Sequence, residues 1–554
     1  MTTIHVRARR GAGADRLLAL LGSREPLGVF VELDAGDARI SRWHLAGEDD
    51  ELVVDAGAWP LSAGPVAAVL AERARTKVVL DATSLSRRLF AAGVRLAGVF
   101  DVRAVAELLL QGLTLSERAS AGIGGLGLEE LSVLLRPPSG TDAQGPARRL
   151  LGVAEVLSAE AERAGLGRTA RLESAVACVL GRMEHTGVPV DATVWRRIVA
   201  DGFDAATRAE RSVAEAFGVG QDEAGNYVGF NIDSPSQLTT RLSALVGEHI
   251  ASTRDDVLAR CAHPVAAALR DYRAATMAIR VATAPVSGAL RPRWHHIGTV
   301  TGRITSTGPN VQGLPRPLRE AIAPPEGMVL GAFDYGRQEP YVLAALSHDA
   351  ALLAALGSGD PYDAVAEAAG VGRDVAKRAL LACAYGMSAP RLAATLGLDL
   401  ASGRRLYARL HRAYPRAMRL GDSVQLTTPP DAGFGLLAGA SRLGEVRSLH
   451  RRRLVAHSTR QLSLANTPVQ ATGADMVKEA LVGIDAACAH QVPTARIVAA
   501  VHDEILLVAP QERAEELDAL VRSEMTAAAR RCLGGGEPPP VTGGFARNWL
   551  VASN

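Results

Sequence analysis

Lysine is nearly missing from this chain. Of its 61 basic residues, only Lys77, Lys377 and Lys478 are lysines, and Ala, Gly and Leu are abundant. Such a bias reads as genome composition rather than function, so each lysine that survives it is a candidate for a specific role. Cysteine is scarce as well: Cys178, Cys261, Cys383, Cys488 and Cys532 are odd in number and far apart. Those spacings hold no disulfide framework and no cysteine-based metal site, and they fit a reducing compartment. Long hydrophobic runs are absent. The opening MTTIHVRARRGAGADRLLALLG contains an apolar stretch of only six residues, too short for a signal peptide or a membrane span. A soluble cytoplasmic protein is expected. Solenoid repeats and low-complexity tracts are also missing. Net charge is only +2, while 48% hydrophobic and 22% charged residues exclude a disordered chain. The 554 residues suggest about three or four domains.

The first strong punctuation is Arg136–Pro146, RPPSGTDAQGP, a loop between compact regions. Ahead of it, apolar runs such as Leu27–Leu33 and Lys77–Asp81 alternate with helical patterns, as in an α/β domain. Behind it, Ala147–Glu215 is helical with a break at Gly187-Val188-Pro189, and 230–290 continues mainly helical. Thr299–Pro317 is too polar and broken to be a core element. Met328–Phe333 (MVLGAF) has strand length and runs into Asp334; residues 361–420 are helical again. Ile497–Val501 and Ile505–Val508 flank His502-Asp503-Glu504, which reads as a hairpin with acids at its tip. From Ala401 to Arg460 twelve arginines face three acids. Within a near-neutral chain that stretch suits a polyanionic partner or a solvated helical face.

Asp334 and Asp503 each follow an apolar run, where a buried carboxylate costs several kcal/mol unless paired or metal-bound. Two such carboxylates meeting on one sheet could hold Mg²⁺, which needs few protein ligands when substrate phosphates supply the rest. Each alone also suits a turn that ends a strand. Arg373, Lys377 and Leu381 follow one another at four-residue spacing, with Ala384 and Tyr385 beyond. On a helix these fall within a sector of roughly 120°. Arginine offers phosphate a bidentate fork, lysine a compact charge, tyrosine a stacking surface. The same spacing also decorates solvated helix faces.

DYGRQEPYVLAALSHD (Asp334–Asp349), RDVAKRALLACAYGMS (Arg373–Ser388) and VHDEILLV (Val501–Val508) resemble motifs A, B and C of family A DNA polymerases, the DNA polymerase I type. TGRITSTGPNVQGLP (Thr301–Pro315), FNIDSPSQLTTRL (Phe230–Leu242), NTPVQATGADMVKEAL (Asn466–Leu481) and the closing GGFARNWLVAS resemble further segments of that family, in its order. The resemblance implies a right-hand α+β polymerase: thumb 166–290, palm 291–350 and 462–554, fingers 351–461. It implies two Mg²⁺ ions, replaceable by Mn²⁺, held by Asp334, Asp503 and the backbone carbonyl of Tyr335, with Glu504 as a further catalytic acid. One cation would activate the primer 3′-hydroxyl and the other neutralise the triphosphate. Arg373 and Lys377 match triphosphate ligands, and Lys377 a proton donor to pyrophosphate. Tyr385 and Leu381 belong to the dNTP site, and Glu339 excludes a ribose 2′-hydroxyl. Arg303, Asn310, Gln312, Gln470 and His502 match contacts to template-primer DNA. A monomer without membrane contact is implied.

Departures from the family pattern are Leu381, where an aromatic is usual, and Gly336, Pro340, Tyr341 and Gly313. None removes a metal or triphosphate ligand. Residues 1–165 resemble an RNase H-like α/β 3′–5′ exonuclease domain whose acids are gone. VFVELDAGD (Val29–Asp37) puts Leu33 and Ala35 at metal-ligand positions, and Val78–Leu110 puts Leu85 at another. The third segment, near Leu150–Glu160, lacks its Tyr-x-x-x-Asp. Glu32 and Asp34 could rebuild only one corner of such a site. The front of the chain is also too short for a 5′-nuclease domain. The expectation is a DNA-directed DNA polymerase without proofreading. Its rivals are a non-catalytic template-primer-binding relative and a single-subunit RNA polymerase.

Overall fold

In the computed structural model the described residues are 4–6, 11–34, 39–47, 50–59, 64–111, 125–135, 145–281, 287–424, 444–449, 452–456 and 465–553. Ala35, most of the Arg136–Pro146 loop, and Arg442, Arg451 and Arg460 of the basic stretch lie outside them.

The N-terminal alternation becomes a six-stranded mixed sheet: β1 (Ile4–Val6), β2 (Leu27–Leu33), β3 (Ile40–Ala46), β4 (Glu51–Asp55), β5 (Lys77–Val79) and β6 (Val99–Asp101), ordered β1-β4-β3-β2-β5-β6. β2, β5 and β6 run parallel, and β3 is antiparallel to both its neighbours. Asp81 and Asp101 stand at the C-terminal ends of β5 and β6 and cap the helices that follow. In α1 (Ala82–Ala91) the Asp81 carboxylate accepts from the Ser84 N–H at 2.9 Å; in α2 (Val102–Leu109) Asp101 accepts from Ala104 at 3.0 Å. Lys77 is wholly buried, and its ammonium donates to the carbonyls of Glu72 and Arg75.

After α3 (Pro146–Arg163) comes α4 (Gly167–Thr186), a helix with two allegiances. Its Ala177 and Cys178 pack into the core of the N-terminal sheet, whereas Leu172, Val176, Val179, Leu180 and Met183 belong to the large core downstream. α4 thus joins the two cores directly after the boundary expected at residue 165. Where α4 crosses α1, a Cβ on Gly181 would stand 2.3 Å from the Thr83 carbonyl oxygen. Glycine allows that approach. Gly187 ends α4 at φ +75°, a left-handed value that suits glycine.

Helices α5 (Ala192–Ala216) and α6 (Pro264–Val281) pack on each other over a separate small core that includes Val213, Leu238, Leu242 and Leu269. The remainder is built on a four-stranded antiparallel sheet: β7 (Met328–Tyr335), β8 (Arg496–Val501), β9 (Glu504–Pro510) and β10 (Val541–Ala546), ordered β8-β9-β7-β10. Around it stand α7 (Gln338–Ser347), α8 (Arg373–Ala384), α9 (Asn466–Gln491), α10 (Ala514–Cys532) and the short α11 (Trp549–Ala552). No helix among the described residues is long and apolar enough to cross a membrane.

Two expectations are corrected. Thr299–Pro317 holds only short regular pieces, such as the strand Thr305–Thr307 and the 3-10 turn Val311–Gly313, yet Ile304, Val311 and Leu314 are buried in the main core. Side chains satisfy its backbone: Gln312 donates to the Ile304 and Ala500 carbonyls at 2.9 and 3.0 Å, Ser306 accepts from Val311 at 3.0 Å and Asn310 accepts from Gly313 at 3.2 Å. A polar sequence can thus enter a core when its polar atoms pair with one another.

Arg452, counted above with a basic face, is fully buried instead. It pairs with Asp475 at 2.6 Å and with Glu173, which also holds Lys478 at 2.7 Å. Ser448 donates to Asp475 at 2.8 Å. Both ring nitrogens of His296 face carboxylates, Glu173 at 3.0 Å and Glu107 at 2.9 Å, so the ring is an imidazolium. Burial opposes that charge, but the two carboxylates raise the pKa of His296 to about 9. This cluster joins α2, α4 and α9 around one set of compensating charges.

Candidate active site

β7 and the β8–β9 hairpin bring two aspartates together. In the ladder Phe333 pairs with Ile505 and Asp334 with Glu504, which sets Asp503 just beyond the end of the pairing. The turn is His502-Asp503; Glu504, which the sequence placed at the tip, is already the first residue of β9, and His502 adopts φ +59°, a left-handed conformation uncommon for a non-glycine residue. Beside β7, a Cβ on Gly543 of β10 would stand 2.0 Å from the Ala332 carbonyl oxygen, and φ there is +85°. Glycine lets β10 close on the strand that carries Asp334. Tyr335 is locked below it, its buried hydroxyl donating to the Met525 carbonyl at 2.7 Å.

Burial first, then repulsion from Asp503 and Glu504, push the Asp334 pKa up to about 7. Its Oδ1 is buried and has no hydrogen-bond partner. A carboxylate pair with such an orphaned oxygen fits a hard divalent cation. Among the described residues no cluster of three or more His, Cys, Asp or Glu side chains could hold a metal. What the described residues offer is a pair, Asp334 and Asp503, rather than a cluster. It suits Mg²⁺, which keeps waters or substrate phosphates in its shell.

Glu504 stands apart from that pair in its contacts. Its Oε2 accepts from the Trp549 indole N–H at 2.9 Å and its Oε1 from the Ser553 hydroxyl, with Arg319 4.0 Å away. The carboxylate is turned toward α11, although its charge is felt at Asp334.

On α8, Arg373 is exposed and already paired. Its Nε donates to Asp360 at 2.6 Å, and Asp363 and Asp374 lie at 3.8 and 3.9 Å. Lys377, one turn along, is exposed and has no ion pair among the described residues. Leu381 is half-buried against the core. Tyr385 ends the helix and donates to Glu339 at 3.3 Å. Burial raises the pKa of Glu339, opposed by Arg303 at 3.7 Å and by Tyr385; the charges of Asp503 and Lys377 also reach it. Four expected site residues thus converge on Glu339.

The other expected residues divide. His502 is exposed at the hairpin turn, and Gln470 is half-buried on α9 with no partner among the described residues. Asn310 and Gln312 spend polar atoms on holding their own segment, as described above. Sequence reasoning missed Asp360, Arg319, Trp549 and Ser553. It also missed Gln338, which donates to the Gly473 carbonyl of α9 at 3.3 Å. Trp549 and Ser553 stood inside the closing GGFARNWLVAS, and Gln338 inside Asp334–Asp349, segments already singled out.

The sequence model of DNA polymerase family A matches residues 205–550. The thermostable DNA polymerase I of Thermus thermophilus is 28% identical over 521 residues, 84% of this chain and 60% of that protein. DNA polymerase I of Bacillus subtilis is 28% identical over 398 residues, 64% of this chain and 43% of that protein. The chain therefore spans less than two thirds of the length of these relatives. The POL domain of Pol1 from M. smegmatis, solved with DNA primer-template and dNTP, has the same fold, with a TM-score of 0.78 at 23% identity. The match covers 99% of this chain and all of that one.

Proposed function

The chain belongs to DNA polymerase family A, and on that premise we propose that it extends a DNA primer by template-directed transfer of deoxynucleotides. The convergence of Asp503, Lys377, Arg303 and Tyr385 on Glu339, beside the orphaned Asp334 oxygen, carries this reading. In it the palm is 291–350 with 462–554, the fingers 351–461 and the thumb 166–290. The protein works as a cytoplasmic monomer on template-primer DNA and dNTPs.

Asp334, Asp503 and the Tyr335 carbonyl would hold two Mg²⁺ ions. When bound, these supply Lewis-acid stabilisation of the attacking 3′-hydroxyl and of the pyrophosphate leaving group. Everything else comes from side chains. Lys377 aims its ammonium at the triphosphate and passes a proton to departing pyrophosphate. Arg373 exchanges Asp360 for phosphate, so part of its affinity is spent on breaking that pair. Tyr385 covers the nascent pair with its hydroxyl held by Glu339, and Glu339 occupies the space of a ribose 2′-hydroxyl. Leu381 lines that pocket. Arg303, Asn310, Gln312, Gln470 and His502 contact the primer-template, and binding falls steeply with salt because phosphates dominate it.

Primer extension with dNTPs, then with rNTPs, tests the reading. Extension with dNTPs only is expected; rNTP preference would make it an RNA polymerase, and no extension a binding protein. Lys377→Ala should slow single-nucleotide incorporation by about 10²–10⁴-fold in rapid-quench kinetics, since a charge aimed at the transition state is lost. A near-normal rate would leave Lys377 as mere composition.

The N-terminal unit we read as a degenerate exonuclease-like domain. Leu33 is exposed at the end of β2, while Leu85 is buried in the core, so its side chain now packs. Glu32 is held by His44 at 2.8 Å and Arg42 at 3.2 Å, and Asp34 is exposed. A mismatched 3′ end should therefore remain intact with Mg²⁺ or Mn²⁺ and no dNTPs. Degradation that persists in Asp334→Ala protein would restore an exonuclease site.

A further inference from the structure

We infer that Trp549 is a positioning residue for nucleotide transfer, acting through Glu504: with Ser553 and Arg319 it fixes the Glu504 carboxylate as a third negative charge beside Asp334 and Asp503. The inference rests on the polymerase reading above and extends it to the last turn of the chain.

Glu504 begins β9 directly opposite Asp334 in the ladder. It is buried, and both of its carboxylate oxygens are taken: Oε2 by the Trp549 indole N–H at 2.9 Å, Oε1 by the Ser553 hydroxyl. Carboxylate oxygens engaged in this way are not offered to a cation. The holders are themselves held. Trp549 is completely buried, its backbone N–H donates to the Ile322 carbonyl at 2.9 Å, and Asn548 caps α11 by accepting from Val551 at 3.0 Å. The Arg319 guanidinium stacks over the indole, 4.2 Å from its ring centre, and stands 4.0 Å from Glu504 Oε2. The 3-10 helix Arg316–Ala321, which carries Arg319, packs on α11. The hairpin tip, the end of the chain and the segment after Thr299–Pro317 thus meet at one carboxylate.

A charge in a fixed place acts on its neighbours without reorganisation, and in a poorly solvated site it acts strongly. Glu504 can therefore strengthen cation binding at Asp334 and Asp503 through its field, without being a ligand. A Trp549 that merely filled space would affect stability alone. One that acts through Glu504 must lose its influence once the Glu504 charge is gone.

The experiment is a double-mutant cycle on Mn²⁺ affinity. It uses the full chain with template, a 3′-dideoxy-terminated primer and dNTP, so that no chemistry occurs, and reads free Mn²⁺ by its paramagnetic resonance. Glu504→Gln can still accept the indole hydrogen bond but is neutral, and should weaken Mn²⁺ binding by about three- to tenfold. Asp503→Asn, which removes a ligand, should weaken it by more than about a hundredfold. Trp549→Phe should weaken it about two- to fivefold, and the double variant no more than Glu504→Gln alone. If Trp549→Phe folds poorly, Ser553→Ala, at an exposed position, serves in its place with about a twofold loss. Additive effects, or an unchanged Mn²⁺ affinity in Glu504→Gln, would overturn the inference while the parent protein still extends primers. A parent that binds template-primer but neither extends it nor takes up Mn²⁺ would remove the polymerase reading itself.

Discussion

Asp334→Ala and Asp503→Ala each reduce nucleotide incorporation below about one per cent of the parent rate, while template-primer affinity stays within a few-fold. The asymmetry follows from where the two functions reside. In the proposed reading DNA affinity comes from many phosphate contacts spread over the protein. In that same reading the chemistry depends on two carboxylates and one carbonyl. Primer extension beside a DNA-binding titration separates the two, and residual extension well above that level in either variant would remove the aspartate pair from the mechanism. A second result accompanies the first. Asp334 has a pKa of about 7 in the fold against an ordinary value of 3.8, because burial and neighbouring charges disfavour its ionised form. Because its folded value is raised, the contribution of Asp334 itself to stability is complete below about pH 4 and is lost as the pH rises through about 7. At neutral pH, Asp334→Asn should accordingly melt higher than the parent in the absence of divalent cations. Added Mg²⁺ should close the gap. The activity is held at the expense of stability, as is common at strained sites.

Glu173→Gln is expected to destabilise the whole chain by about 3–5 kcal/mol, the size seen when one partner of a buried ionic cluster is removed. Burial opposes ionisation of Glu173, yet Arg452 and Lys478 hold its carboxyl well below the usual range. Without its charge, two cations and the His296 imidazolium stay buried with too few counter-charges. Denaturant melts followed separately in the N-terminal sheet and in α9 should both shift, because the cluster joins the two. A shift confined to one of them would show that the cluster serves only that side. The pH profile gives an independent check. The folded pKa of His296, about 9, lies above its ordinary 6.5, so its contribution is complete below about pH 6.5 and vanishes as the pH rises through about 9. In Glu173→Gln that alkaline decline should begin at lower pH.

Much of the site was legible because its signals are local. A short apolar run ended by an acid became β7 and Asp334, and two β-branched runs around His502-Asp503-Glu504 became the β8–β9 hairpin. The stripe on α8 was visible as four-residue spacing. Partnerships across the chain were not legible. Nothing near Arg373 in sequence showed that Asp360 would already hold it, and nothing near Glu504 announced Trp549, 45 residues later. Arg452 was misread for the same reason. In a run of arginines, the one that goes inside is identified only by the distant carboxylates Glu173 and Asp475 that neutralise it. The periodicity of Thr299–Pro317 likewise hid a core segment whose polar atoms pair among themselves.

The scarcity of lysine acquires a practical meaning from where the three fall. Lys77 and Lys478 are completely enclosed, each surrounded by acceptors, whereas Lys377 projects into solvent from α8. To an acylating reagent the folded protein is, its amino terminus aside, a protein with one reactive amine, and that amine lies where the triphosphate would be gripped. The enclosed two are latent tags, one on β5 of the N-terminal sheet and one at the junction of the halves. Each is unmasked only when its own region opens, so the order in which they become acylated would record the order in which the molecule comes apart.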